Sequence, residues 1–183
     1  MFIASQKRKE NIAEYVLYMW QVEDTIRACS LDIDKIKEVV IDRFTLTDEQ
    51  RHQMAEWYES LINMMKREGK ESAGHLQIVK NTIASIADLH HTLLNDPKFP
   101  EYGAEFYKTL PFIVELRAKA GDNAVGEIET CFTALYGVLM LRIQGKEVSP
   151  QTSAAISHIS HFLAVLAHYY KLNDEDKLFK EEE

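Results

Sequence analysis

The sequence predicts an all-α fold, an up-and-down bundle of six to seven antiparallel helices with a long central N-terminal helix. Three observations support this prediction. Apolar residues recur every three or four positions through most of the chain, which is the period of an amphipathic helix. The 183 residues include only seven Gly and four Pro, too few for a turn-rich β fold. The connections between the periodic segments are short, which favours antiparallel neighbours.

The first predicted helix runs from about residue 5 to residue 29, a stretch in which residues 6–29 contain no Pro or Gly. Its middle, residues 15–20, is apolar without interruption. A helix that is apolar nearly all round is one against which other helices pack, so we expect this helix at the centre of the bundle. Asp32 is positioned to cap a short amphipathic helix over residues 33–44.

Two longer helices are predicted in the middle of the chain. Thr47 and Gln50 form a capping-box pattern that begins a helix ending near residue 67. Its apolar stripe is typical of a core-facing side: Met54, Trp57, Tyr58, Leu61, Met64 and Met65. A third helix follows over about residues 73–94.

The C-terminal part predicts three more helices. One begins near Pro100 and contains Pro111, which we expect to kink it or split it. The next covers about residues 124–144, and the last begins after the cap Ser149 and ends near residue 172. We therefore expect one helical-bundle domain over residues 1–172 and a disordered acidic tail over residues 173–183, which holds six acidic residues and two lysines.

The composition excludes several classes of function. A net charge of −8 leaves no basic surface for phosphate backbones, so we expect no nucleic-acid partner. No apolar run reaches the ~18 residues of a membrane span, and the N-terminus lacks the pattern of a secretory signal. Cys29 and Cys131 lie far apart within apolar helical patterns. This placement indicates buried free thiols in a reducing compartment. We predict a cytoplasmic protein without a membrane partner.

Ionisable residues inside apolar stripes are the candidates for a functional site. On a helical wheel, Glu23 projects between apolar residues with Arg27 one turn further on, and His90, Arg117 and Arg142 fall inside the stripes of their own helices. Burying an unpaired charge is costly, so these side chains must pair or reach water. They form the hypothesis of an interhelical polar pocket that binds an anionic ligand, with His90 as its titratable member.

A simpler interpretation competes with the pocket. The charged candidates lie toward the ends of their helices, where long side chains reach out to water, and Glu23 with Arg27 is an ordinary pair four residues apart. The spacings Glu49–His52 and Asp88–His91 resemble the Glu-x-x-His of di-iron bundles, but they fall on caps or polar faces. We predict no metal site, no cofactor and no catalytic residue.

Several segments resemble an uncharacterised bacterial family, the domain of unknown function 4924. They are QKRKENIAEY (6–15), YMWQVED (18–24), KFPEY (98–102), YKTLPFIVELRAKAG (107–121), EIETCFTALYG (127–137) and ISHFL (159–163). The resemblance covers nearly the whole chain apart from the acidic tail. It implies a small, stand-alone bacterial protein and assigns no functional residue.

Two functional hypotheses follow. The first is a non-enzymatic helical protein, as a homo-oligomer or with another partner, that acts through its surface; exposed aromatic residues such as Trp20 or Tyr18 within an apolar patch would support it. The second is a small-molecule binder or an enzyme that uses a pocket lined by Glu23, Arg27, His90 and an arginine.

Overall fold

The computed structural model of the protein describes residues 2–178, and every regular element within them is helical. Two 3₁₀ turns, Ile41–Arg43 and Gly121–Asn123, lie between α-helices. The eight α-helices of the described residues are α1 Phe2–Glu10, α2 Ile12–Ala28, α3 Ile33–Val39, α4 Asp48–Arg67, α5 Gln77–Asn95, α6 Pro100–Ala120, α7 Glu127–Ile143 and α8 Pro150–Asp174. The all-α prediction is confirmed, although the described residues hold eight α-helices instead of six or seven.

The predicted single N-terminal helix is wrong, because the chain breaks between α1 and α2 at Asn11. The side-chain oxygen of Asn11 accepts a hydrogen bond from the backbone N–H of Ala13 at 3.0 Å. Such a local bond competes with the helical backbone and starts a new helix instead of continuing the old one. The apolar middle that dominated the sequence pattern belongs to α2, where Val16, Met19 and Ile26 are almost completely buried.

Other helix boundaries differ from the predictions by a few residues, and one predicted helix divides into two elements. The segment predicted as one helix over residues 33–44 divides into α3 and the 3₁₀ turn Ile41–Arg43. Pro111 does not split its helix, because α6 is continuous from Pro100 to Ala120. The predicted capping box is confirmed: Gln50 N–H donates to the Thr47 hydroxyl, and the Gln50 side chain accepts from the Thr47 N–H.

The chain divides into two compact units. Unit 1 comprises residues 1–9 and 14–81, and unit 2 comprises residues 10–13 and 82–183. In unit 1, α4 packs against α3 and the 3₁₀ turn that follows α3. In unit 2, helices α6, α7 and α8 contact one another pairwise.

Unit 2 has an aromatic centre. Tyr102 and Phe106 of α6 and Phe162 of α8 are buried, and their ring centroids lie 4.7–5.8 Å from the ring of His90 on α5 in edge-to-face arrangements. Such pairs contribute roughly 0.5–1.5 kcal/mol each beyond the area they bury. These rings place a histidine inside an apolar surrounding.

Each unit contains one buried cysteine. Cys29 follows α2 in unit 1, Cys131 lies on α7 in unit 2, and both are free thiols. Burial raises the pKa of the Cys131 thiol to about 12, so the unreactive protonated form predominates at neutral pH.

The α6–α7 connection departs from a simple hairpin. The axis turns by 93° between the segments Pro100–Asn123 and Glu127–Ile143, whereas an antiparallel pair needs a reversal.

No single helix within residues 2–178 has the length and apolar character of a membrane span, and this bent pair meets that test only when its two helices are taken together. The last helix was predicted to end near residue 172, and α8 continues to Asp174; residues 179–183 of the predicted tail lie outside the described residues.

Candidate functional site

The five residues predicted for the pocket are distributed over both units. Glu23 and Arg27 lie on α2 in unit 1, whereas His90, Arg117 and Arg142 lie in unit 2, on α5, α6 and α7. Glu23 and His90 are each completely buried, as the wheel predicted. Each unit therefore has a polar cluster of its own.

Glu23 is the centre of the cluster in unit 1. Its Oε1 accepts the backbone N–H of Leu76 at 2.9 Å, and its Oε2 lies 2.6 Å from Nδ1 of His75. A carboxylate only accepts hydrogen bonds, so Nδ1 of His75 carries the proton. Both oxygens of a fully buried acid thus have partners in the connection between α4 and α5.

His75 is a member of this cluster that the sequence did not indicate. Its ring stacks on the buried indole of Trp20, with centroids 4.2 Å apart and planes inclined by 11°. The carboxylate and the indole together fix the orientation of the imidazole, while a quarter of the side chain remains exposed. His75 lies within the helix predicted over about residues 73–94, but in the structure it precedes α5, which begins at Gln77.

Arg27 holds the same connection from one turn further along α2. Its Nε donates to the Lys70 carbonyl at 3.2 Å, its Nη2 donates to the Gly74 carbonyl, and its Nη1 pairs with Asp24 at 2.7 Å. Gly74 has a φ of +81°, a backbone conformation that is strained for residues with a side chain. Glycine at this position therefore allows the turn in which the Gly74 carbonyl faces Arg27. Glu23 and Arg27 act on this chain segment as anchors.

The cluster in unit 2 is built around His90. Its Nδ1 lies 2.5 Å from the Tyr102 hydroxyl, and its Nε2 lies 3.7 Å from Oε2 of Glu127 in the first turn of α7. Burial lowers the pKa of His90 to about 4, with a smaller contribution from His91, so the ring is neutral at pH 7. Burial also raises the pKa of Tyr102, which keeps its hydroxyl protonated.

These contacts select one tautomer of His90. The Tyr102 hydroxyl donates to Nδ1, and the ring proton then sits on Nε2, where it faces the Glu127 carboxylate. The opposite tautomer would aim a lone pair at the carboxylate, which is electrostatically unfavourable. Nε2 nevertheless has no hydrogen-bond partner among residues 2–178.

Arg117 approaches the same carboxylate from α6. Its Nη1 lies 4.0 Å from Oε1 of Glu127, and its buried Nε has no hydrogen-bond partner in the part of the chain that the structure describes. Charge-assisted N–H···O bonds are about 2.7–2.9 Å long, so neither His90 nor Arg117 forms one with Glu127. We call His90, Tyr102, Arg117 and Glu127 the His90 cluster.

Arg142 does not join either cluster by any contact within the described residues. It lies exposed near the C-terminal end of α7, which ends at Ile143. A long cationic side chain in that position reaches water and interacts favourably with the negative end of the helix dipole. This exposure is the outcome expected from the simpler interpretation, in which a long charged side chain near a helix end reaches water.

An apolar groove forms a third candidate site, within unit 1. It encloses about 420 Å³ between the first turns of α1, the segment after the 3₁₀ turn Ile41–Arg43, and α4. Its apolar lining residues are Phe2, Ile3, Phe44, Leu46 and Met54, and its polar ones are Ser5, Gln50 and Gln53. We call it the α1–α4 groove. Phe2 is 61% exposed and Phe44 is 41% exposed, which is unusual for phenylalanine.

The aromatic residues expected on a contact surface are not those found there. Trp20 is 2% exposed, and Tyr18 is half-buried. Phe2 precedes the first predicted helix, and Phe44 ends the short amphipathic helix predicted over residues 33–44, so the pattern did not indicate an exposed surface at either residue. Within residues 2–178, no group of three or more His, Cys, Asp or Glu side chains is arranged to hold a metal ion.

Comparison with known proteins identifies a family. The model of a domain of unknown function (DUF4924) matches residues 1–177, nearly the whole chain, which confirms the family predicted from the sequence. No curated protein and no solved structure matches the chain.

Proposed function

The chain belongs to the DUF4924 family, and from its own surface we propose that it is a non-enzymatic binding protein whose α1–α4 groove receives the apolar face of an amphipathic helix from a partner protein. The exposure of Phe2 and Phe44 beside this groove is the observation that carries the proposal. Contiguous apolar surface rimmed by polar residues marks an interaction site on a globular protein.

The openness of the groove favours a helix over an enclosed small molecule. A pocket for a small ligand buries 70–90% or more of that ligand, which requires walls that surround it. Here two of the largest lining side chains are themselves 61% and 41% exposed, so the groove is open along its rim. An open apolar groove is the surface into which amphipathic helices lay side chains spaced three and four residues apart.

The polar lining indicates that the contacting face of the partner is uncharged. Gln50 already accepts from the Thr47 N–H at 3.0 Å, and Gln53 donates to Glu49 at 2.7 Å. Neither these amides nor Ser5 carries a charge with which a buried charged group could pair. A charged side chain entering the groove would lose its hydration without compensation, so the seated residues are apolar.

Replacing Phe44 with Glu tests the groove. Amphipathic helical peptides are selected from a displayed library against the wild-type protein, and their affinity is measured by fluorescence anisotropy. Burying one phenylalanine contributes about 1.5–3 kcal/mol. We therefore expect Phe44→Glu to weaken binding at least about tenfold.

The matched control is Ile143→Glu, because Ile143 is 66% exposed but lies outside the groove. Binding by this control should equal that of the wild type. Selected peptides that bind Phe44→Glu as well as the wild type would contradict the proposal. So would a groove occupied by a second copy of the chain, seen as a dimer in light scattering that Phe44→Glu makes monomeric.

The finer architecture is also a proposal. Helices α7 and α8 contact each other, and residues 144–149 connect them. A connection this short favours antiparallel neighbours, so we propose that this pair keeps the up-and-down arrangement although α6 and α7 do not. Two free buried thiols suit a reducing compartment, which supports a cytoplasmic location as a further proposal.

A further inference from the structure

We propose that His90 and Arg117 form a binding site for the carboxylate group of a small ligand, a site that the carboxylate of Glu127 occupies only loosely. This inference concerns unit 2 and is independent of the α1–α4 groove. It rests on three groups that face one another at distances longer than hydrogen bonds.

The first step is the supply of donors. His90 Nε2 and Arg117 Nε are both buried, and neither has a hydrogen-bond partner in the described chain. The side chain of His90 is only 1% exposed, so bulk water does not replace the missing partner. Buried polar groups in folded proteins are almost always hydrogen-bonded, and two orphaned donors beside one carboxylate therefore point to an acceptor of the same kind.

The second step concerns charge. The neutral His90, the cationic Arg117 and the anionic Glu127 together carry no net charge. Glu127 is 31% exposed, so its side chain has access to solvent. If its carboxylate rotates into water and a ligand carboxylate takes its place, the buried charge remains balanced. A phosphate dianion would leave one negative charge uncompensated, so a monoanion is favoured.

The third step is the rigidity of the donors. The Tyr102 hydroxyl holds Nδ1 of His90 at 2.5 Å, and the rings of Phe106 and Phe162 lie at 4.7 and 5.7 Å from the imidazole. The Nε2–H direction is therefore fixed before a ligand arrives, and the apolar rings keep water from weakening the bond. Arg117 adds a planar set of donors that matches carboxylate geometry.

Acetate is the probe for this site. The ¹⁵N-labelled protein is titrated with sodium acetate at constant ionic strength, and the NMR resonances of the His90 imidazole and the Arg117 Nε–H are followed. We expect saturable shifts of both groups. Because Glu127→Ala removes the competing carboxylate, it should bind acetate about tenfold more tightly than the wild type, a difference of about 1.4 kcal/mol.

Two variants keep the test decisive. Arg117→Gln, at a side chain that is 42% exposed, removes the guanidinium and should abolish the saturable shift of His90. Glu129→Ala changes another acid of the same helical turn and should bind acetate like the wild type. Unchanged affinity in Glu127→Ala would overturn the proposal. Equal effects of acetate and chloride would overturn its assignment to carboxylates.

Discussion

Replacing Glu23 with Ala is expected to lower the free energy of unfolding by about 3–5 kcal/mol. The side chain is completely buried, and its removal leaves the Leu76 N–H and the His75 Nδ1–H without an acceptor. Each stranded donor costs about 1–3 kcal/mol, and the cavity left by the missing side chain adds to the loss. An effect of this size is a large fraction of the stability of an ordinary domain.

Urea unfolding followed by circular dichroism measures this effect. Glu14→Ala is the matched control, since Glu14 lies on the same helix and its side chain is 58% exposed; a change within about 0.5 kcal/mol is expected. Glu23→Gln should fall between the two, because its amide oxygen still accepts from Leu76. Hydrogen exchange at the Leu76 amide should accelerate in Glu23→Ala. A loss below about 1 kcal/mol would show that the anchoring interpretation is wrong.

Acidification is expected to destabilise the protein through His90. The pKa of His90 is lowered from 6.5 to about 4 by burial, so between these values the unfolded chain binds a proton that the folded protein does not. Stability therefore falls as the pH drops through 6.5 and stops falling, for this group, below about 4. At 1.36 kcal/mol per pKa unit, the full loss is about 3 kcal/mol.

The variant His90→Gln isolates this contribution from that of the carboxylates. Its amide oxygen accepts from the Tyr102 hydroxyl, and it has no proton to gain in this range. The wild type should lose about 2.5 kcal/mol more than His90→Gln between pH 7 and pH 4.5 in urea unfolding. His168→Gln, at an exposed histidine of α8, should follow the wild type. Parallel pH profiles of wild type and His90→Gln would contradict the shifted pKa.

Helical periodicity was sufficient to predict most of the fold, because burial of one side of each helix is a local pattern. The capping box at Thr47 and the helix start at Pro150 were predictable because a cap is also set by residues close together in the sequence. The break at Asn11 was not, because one side-chain hydrogen bond decides it within an otherwise helical pattern. Pro111 was expected to kink α6 or to split it, and the split is excluded because the helix is continuous across it.

The candidate sites were predictable only in part. A helical wheel is enough to place Glu23 and His90 in the interior, since their neighbours three and four residues away are apolar. Their partners are a different matter: His75 is 52 residues from Glu23, and no pattern along the chain relates the two. A wheel treats all turns alike, so it could not separate Arg142, which lies exposed in the last turn of α7, from the buried candidates.

The two buried cysteines make each half of the chain a reporter of its own opening. A thiol reagent reaches Cys29 only when unit 1 exposes it and reaches Cys131 only when unit 2 does. Labelling rates read by mass spectrometry therefore give two separate opening equilibria without any engineered probe. The ratio of those two rates compares the free energies with which unit 1 and unit 2 open, each by itself.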